Sequence, residues 1–175
     1  MRNVEIKAKV SDVKKLCELA ENLSKGPPTL INQDDTFYKV NEGRLKMRRY
    51  SDSSATLVRY NRDNENGPKL CDYDLLQFSE IENEKANLLD KMLINCLGIR
   101  GRVIKERKLY MVGQTRIHID HVQGLGDFME LEVVLCPDQT LEEGQSIAKN
   151  LQLQLGVRNE DLIHCAYVDL LDKSN

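Results

Sequence analysis

The run NVEIKAKV, residues 3–10, alternates apolar and polar side chains without a break. Val4, Ile6, Ala8 and Val10 fall on one face; Asn3, Glu5, Lys7 and Lys9 fall on the other. Such a period of two is the signature of a strand with one apolar face and one polar face. The pattern recurs along the chain. GRLKMRRY sets Arg44, Lys46 and Arg48 opposite Leu45 and Met47, and DFMELEVVL sets Phe128, Glu130 and Glu132 opposite Met129, Leu131 and Val133. TRIHID sets Arg116, His118 and Asp120 opposite two isoleucines. VIKERKLY offers Lys105 and Arg107 more weakly, because Glu106 and Lys108 make its other face polar too. In LVRYNR, Tyr60 and Arg62 share a face with Val58, while Arg59 lies on the other. A single solvated face is ordinary for an antiparallel sheet. Three cations in a row on one strand and two acids on another are not, because like charges at spacing two stand ~7 Å apart and repel. A polyanion accompanied by divalent metal would relieve both kinds of strand. If the sheet closes into a barrel, these faces turn inward around a ligand. The apolar faces then turn outward and require helices to cover them.

Helices are available for that cover. Ser11 opens a stretch with Val13, Leu16, Cys17, Ala20 and Leu23 at helical spacing, stopped by Gly-Pro-Pro at 26–28. Ser79 with Glu82 and Thr140 with Glu143 form capping boxes before two further apolar runs, which Gly98 and Gly156 end. Asn159 caps a short helix leading toward AYVDLL at 166–171. Strands are expected at about 2–10, 34–40, 43–50, 55–62, 69–77, 101–110, 114–121 and 127–136. Turns at 41–43 and 64–68, and the short Gly124-Leu125-Gly126 link, favour antiparallel pairing. With no internal repeat or linker, 1–175 reads as one α+β domain.

Composition narrows the function classes. No stretch is apolar enough to span a membrane and no signal-peptide core opens the chain. Five scattered cysteines without a C-x-x-C pair suit reduced thiols, and a cytoplasmic protein is the expectation. A net charge of −3 gives no general reason to expect nucleic acid, and the scarcity of aromatic residues argues against an RNA-stacking sheet.

The segments NVEIKAKV, DDTFYKV, GRLKMR, GPKLCDYD, GQTRIHIDHVQGLGDFMELEVVL and AYVDLL resemble, in that order, the CYTH family, or triphosphate tunnel metalloenzymes. The likeness is nearest to its class IV adenylyl cyclase-like branch and also touches the thiamine-triphosphatase-like members. It implies a closed tunnel of about eight antiparallel strands, open at both ends. It also implies hydrolysis or cyclisation of a triphosphate-bearing substrate with Mg2+ or Mn2+. The family's E-x-E-x-K signature falls on Asn3-Val4-Glu5-Ile6-Lys7, so an amide stands where the first acid belongs. By this resemblance Glu5, Asp120, Glu130 and Glu132 are the metal ligands. The substrate-binding cations are Lys7, Lys9, Arg44, Lys46, Arg48, Arg62, Lys105, Arg107 and Arg116. Glu5, Lys7 and Arg48 form the catalytic set.

The chemistry is coherent. A triphosphate carries about four to five negative charges near neutral pH, which calls for convergent arginines and lysines. Mg2+ prefers carboxylate and phosphate oxygens to His or Cys. The thiamine ring is a cationic aromatic best met by tryptophan, and the chain has none. Cyclisation needs a base pocket and activation of a ribose hydroxyl, and neither is evident. The expectation is therefore a metal-dependent tripolyphosphatase, with an adenylyl cyclase or a non-catalytic triphosphate-binding module as alternatives. A small-molecule substrate is the expected partner, with room left for a homodimer. His118 reads as a hydrogen-bond partner near Asp120, while His121 and His164 have no role. Tyr38, Tyr50, Tyr60 and Tyr167 read mainly as packing.

Overall fold

The computed structural model describes residues 1–62 and 67–174. Its strands are β1 (Arg2–Lys9), β2 (Thr29–Tyr38), β3 (Arg44–Tyr50), β4 (Ala55–Arg62), β5 (Lys69–Phe78), β6 (Ile99–Val112), β7 (Thr115–Val122) and β8 (Gly126–Val134). The helices are α1 (Val13–Ser24), α2 (Asn83–Leu97), α3 (Leu141–Gln154) and α4 (Tyr167–Ser174). The strands form a closed barrel in the order β1-β5-β4-β3-β2-β6-β7-β8, and β8 returns to pair with β1. Every pairing is antiparallel.

Closure assigns the two faces. Val4, Ile6, Ile117, Ile119, Met129, Leu131 and Val133 turn outward and are buried under Leu16 and Ala20 of α1 and Ala148 and Leu151 of α3. Tyr38, Met47 and Ala55 turn outward beneath Ala86 of α2, with Leu89 and Leu93 beside them. The opposite faces, which carry the charges, enclose the barrel interior.

The capping box at α3 forms in full: Thr140 N donates to Glu143 Oε2 at 2.8 Å, and Glu143 N donates to Thr140 Oγ1 at 3.2 Å. Ser79 and Glu82 likewise open the 3-10 turn that runs into α2. At α1 the cap is Asp12, whose Oδ1 accepts from Lys15 N at 3.0 Å, and not its neighbour Ser11. Strand β2 begins five residues before its expected start and pairs with β6 from Thr29 onward. Of the turn expected at 64–68, residues 64–66 lie outside the described residues. No helix among the described residues is long and apolar enough to cross a membrane.

The tunnel differs from the expected form at one end. Residues 162–163 run beside β1, where Ile163 N donates to Lys7 O at 2.8 Å. This carries the start of α4 over the barrel end, and Tyr167 and Val168 pack there against Phe37, Val103, Val122 and Phe128. That end is filled by apolar side chains, so the interior is not open at both ends.

Helix α3 approaches the barrel at a glycine. A Cβ on Gly144 would meet Leu135 Cδ2 at 2.5 Å and Val4 Cγ2 at 2.8 Å. Gly144→Val is expected to cost about 1–3 kcal/mol through overpacking, measured by urea denaturation; an unchanged midpoint would show that α3 can shift freely.

Candidate active site

The barrel interior holds a cavity of about 300 Å³. Its lining includes seven cationic side chains, Lys7, Lys46, Arg48, Arg62, Lys105, Arg107 and Arg116, and four carboxylates, Glu5, Asp35, Glu130 and Glu132. Each comes from the inward set of its strand, as the period of two requires. Toward the end away from α4 the lining becomes neutral, with Asn3, Tyr50, Thr56, Tyr73 and Gln77.

One wall is organised around Asp35, which is 1% exposed. Lys46 Nζ donates to its Oδ2 at 2.7 Å, Arg48 Nε and Nη2 donate at 2.7 and 2.9 Å, and Lys105 Nζ lies 3.5 Å from Oδ2. Burial alone would push the Asp35 carboxyl up, but Arg48, Lys46 and Lys105 outweigh it and hold the group well below the usual carboxylate range. The lysines respond in the opposite direction. Burial and the neighbouring Arg48 bring Lys46 down to about 7, with Asp35 pulling against them. Burial and Arg107 bring Lys105 to about 8.

The facing wall is acidic. Glu5 and Glu132 are directly opposite partners across β1 and β8, and Lys7 stands opposite Glu130. Two like charges in that relation are destabilising, and each acid turns to a cation. Arg62 Nη1 donates to Glu5 at 2.5 Å, Lys7 Nζ lies 2.6 Å from Glu130, and Arg107 Nη2 donates to Glu130 at 2.5 Å. Glu132 sits 3.3 Å from both Arg116 Nη1 and His118 Nε2. Both His118 ring nitrogens are buried without a hydrogen-bond partner. Burial raises the carboxyls of Glu130 and Glu132, yet Lys7 and Arg107 for the first and His118 for the second hold both well below their ordinary values.

Asp120 lies behind this wall. Fully buried, it accepts from Arg107 Nε and Nη2 at 2.6 Å each and from the Tyr167 hydroxyl at 2.9 Å. Asp35, Asp120, Glu130 and Glu132 are all held ionised below their usual range. Groups with depressed folded-state pKa contribute stability that is complete above the unfolded pKa near 4 and is lost as pH falls further. The melting temperature is therefore expected to be flat between pH 7 and 5 and to drop steeply below about pH 4. A melting temperature that stays flat to pH 2.5 would contradict these pairings.

Of the residues singled out in the sequence, the cavity gathers Glu5, Lys7, Lys46, Arg48, Arg62, Lys105, Arg107, Arg116, Glu130 and Glu132. Lys9 is exposed, and Arg44 Nη2 donates to Asp169 of α4 at 2.9 Å; neither lines the cavity. Tyr38 packs under α2 with its hydroxyl on Asp90, whereas Tyr50, Tyr60 and Tyr167 line the cavity and do more than pack. The Tyr167 ring lies 3.7 Å from Lys7 Nζ. The strand pattern of the sequence does not single out Asp35. Its signal was the inward alternation Gln33, Asp35, Phe37 in a strand whose expected start at Asp34 hid that phase. Lys69 is buried, with Nζ donating to His164 O at 2.9 Å.

Over residues 1–167 the chain matches the CYTH domain. It belongs to the CYTH family. A CYTH relative, adenylate cyclase CyaB of Aeromonas hydrophila, is 29% identical over 97 residues, which cover 52% of this chain and 51% of that protein. The match therefore spans about half the length of that curated relative. Among solved structures, the PH1012 protein from Pyrococcus horikoshii OT3 superposes with a TM-score of 0.76 at 21% identity, over 96% of this chain and 98% of that one. HpAC1 from Hippeastrum, an adenylyl cyclase candidate described as having a dominant triphosphatase activity, gives 0.66 at 14% identity, over 99% and 96%. At such identities the structural likeness speaks for the fold alone.

The residues of this CYTH protein suit a hard divalent cation. Glu5, Glu130 and Glu132 bring oxygen donors to one wall, and the Asn3 Oδ1 on the same strand as Glu5 is buried without a hydrogen-bond partner. Among the described residues no three acids, histidines or cysteines stand together as a ready cage. A metal at this wall would draw its remaining ligands from phosphate and water, as Mg2+ characteristically does.

Proposed function

We propose that this CYTH protein is a divalent-metal-dependent triphosphate hydrolase, with inorganic tripolyphosphate, cleaved to pyrophosphate and phosphate, as its best-fitting substrate. The observation that carries this reading is the excess of seven cations over four carboxylates around one cavity. A net charge of that sign and size complements a triphosphate of about four to five negative charges arriving with a divalent metal.

Mg2+ or Mn2+ held by Glu5, Glu130 and Glu132, with Asp120 in support through Arg107, would supply Lewis acidity and neutralise phosphate charge. The chain's own groups do the rest. Lys46, Arg48 and Lys105 grip phosphate oxygens from one wall while Arg62, Arg107 and Arg116 reach them from others. Lys9 and Arg44, outside the cavity, contribute long-range attraction only. Glu5 orients the attacking water and accepts its proton. The water oxygen bonds to the terminal phosphorus as the bond to the bridging oxygen breaks in line. Lys7 and Arg48 stabilise the charge that develops on the transferred and leaving phosphates.

The name of the CyaB relative and the neutral lining at Tyr50, Thr56, Tyr73 and Gln77 support a second reading, cyclisation of ATP to cyclic AMP and pyrophosphate. Offering tripolyphosphate and ATP separately under Mg2+ and Mn2+ decides between them. Phosphate release from tripolyphosphate with ATP nearly untouched is the expected result. Cyclic AMP from ATP would replace it with the second reading, and binding of both without turnover would make the protein a triphosphate-binding module.

A further inference from the structure

Asp35 is a carboxylate in a cavity whose proposed ligand is an anion, and its own charge repels that ligand. Its contacts give the reason for its presence. Lys46, Arg48 and Lys105 come from two strands that flank β2 on either side, and all three converge on the two oxygens of Asp35. Without it, three cations would face one another in a space where they are buried, and burial favours a neutral lysine.

We propose that Asp35 is a positioning residue: it holds Lys46, Arg48 and Lys105 as one charged arc for a phosphate group and so sets the pH range over which the cavity takes up anions. The inference rests on the proposed triphosphate reading and assigns that site its regulation by pH. Lys46 is the sensitive member of the arc. Around it stand Asp35 on β2, Arg48 on its own strand and Lys105 on β6, with the Phe37 ring 5.1 Å and the Tyr60 ring 5.7 Å from its Nζ. Burial and Arg48 drive it toward the neutral amine, and Asp35 is the neighbouring charge that opposes them. Arg48 stays charged at any accessible pH. Removing the Asp35 charge therefore makes Lys46 lose its proton at a lower pH.

The test is metal-free binding of tripolyphosphate by calorimetry from pH 6 to 9 at constant ionic strength. Wild type, Asp35→Asn and Lys46→Arg are compared at each pH, so that the ligand's own ionisation cancels. Wild type is expected to lose affinity as pH rises through the Lys46 transition. In Asp35→Asn that loss is expected to move at least about one pH unit toward acid. Lys46→Arg keeps its charge and is expected to remove the part of the loss below about pH 8, above which Lys105 also gives up its proton. An unmoved transition in folded Asp35→Asn, or the wild-type fall below about pH 8 persisting in Lys46→Arg, would overturn the proposal. Should Asp35→Asn fail to fold, the Lys46→Arg profile decides alone. Wild type failing to bind tripolyphosphate at every pH would instead overturn the proposed function, and this inference with it.

Discussion

Glu132→Gln is expected to lower metal-dependent turnover of tripolyphosphate by about 100-fold or more while leaving the barrel folded. Glu132 faces the cavity and stands directly opposite Glu5 across β1 and β8. Exchanging Glu132 for an amide relieves its repulsion with Glu5 but gives up its charge beside Arg116 and His118, so the melting temperature should fall modestly. The loss falls on metal affinity, because an amide oxygen brings no charge to a hard cation. Calorimetric titration with Mn2+ should show weakened binding in step with the lost turnover. A variant with wild-type turnover and wild-type Mn2+ binding would remove Glu132 from the metal site.

Arg107→Met is expected to destabilise the fold by about 3–5 kcal/mol, because it strands a buried charge. Arg107 is the bidentate partner of Asp120, which has no exposure to water, and it also reaches Glu130. The Tyr167 hydroxyl would remain on Asp120, but a neutral donor does not balance an ionised carboxylate. The pair Arg107→Met with Asp120→Leu should recover much of the loss, since replacing both members with apolar groups removes the uncompensated charge. Urea denaturation of the single and double variants measures both effects. A single variant costing under about 1 kcal/mol would show that the Arg107–Asp120 pair behaves like a solvent-exposed one.

Strand alternation made the barrel legible. Where a strand carries strict period two, as in 3–10 and 44–48, the sequence predicts which side chains point inward, and the cavity gathers Glu5, Lys7, Lys46 and Arg48 accordingly. Alternation does not say how far along the tunnel a residue sits. Arg44 shares a face with Lys46 yet ends at the rim on Asp169, and Lys9 passes beyond the enclosed length. Adjacent like residues also hide the phase. Of Asp34 and Asp35, the first faces out to Arg102 and the second faces the cavity, which only the pairing with β3 and β6 decides. Tyr167 was illegible for another reason. Its place in the cavity comes from a chain reversal that brings α4 across the barrel end, more than a hundred residues from β1 in sequence. The cap at Asp12 in place of Ser11 is a smaller case, two competent capping residues side by side.

The most direct test of the account is phosphorus NMR of tripolyphosphate mixed with purified protein and Mg2+. The account predicts that the tripolyphosphate resonances give way to equal amounts of pyrophosphate and orthophosphate, and that a chelator stops the conversion. A spectrum that stays unchanged with Mg2+ and with Mn2+ would contradict it.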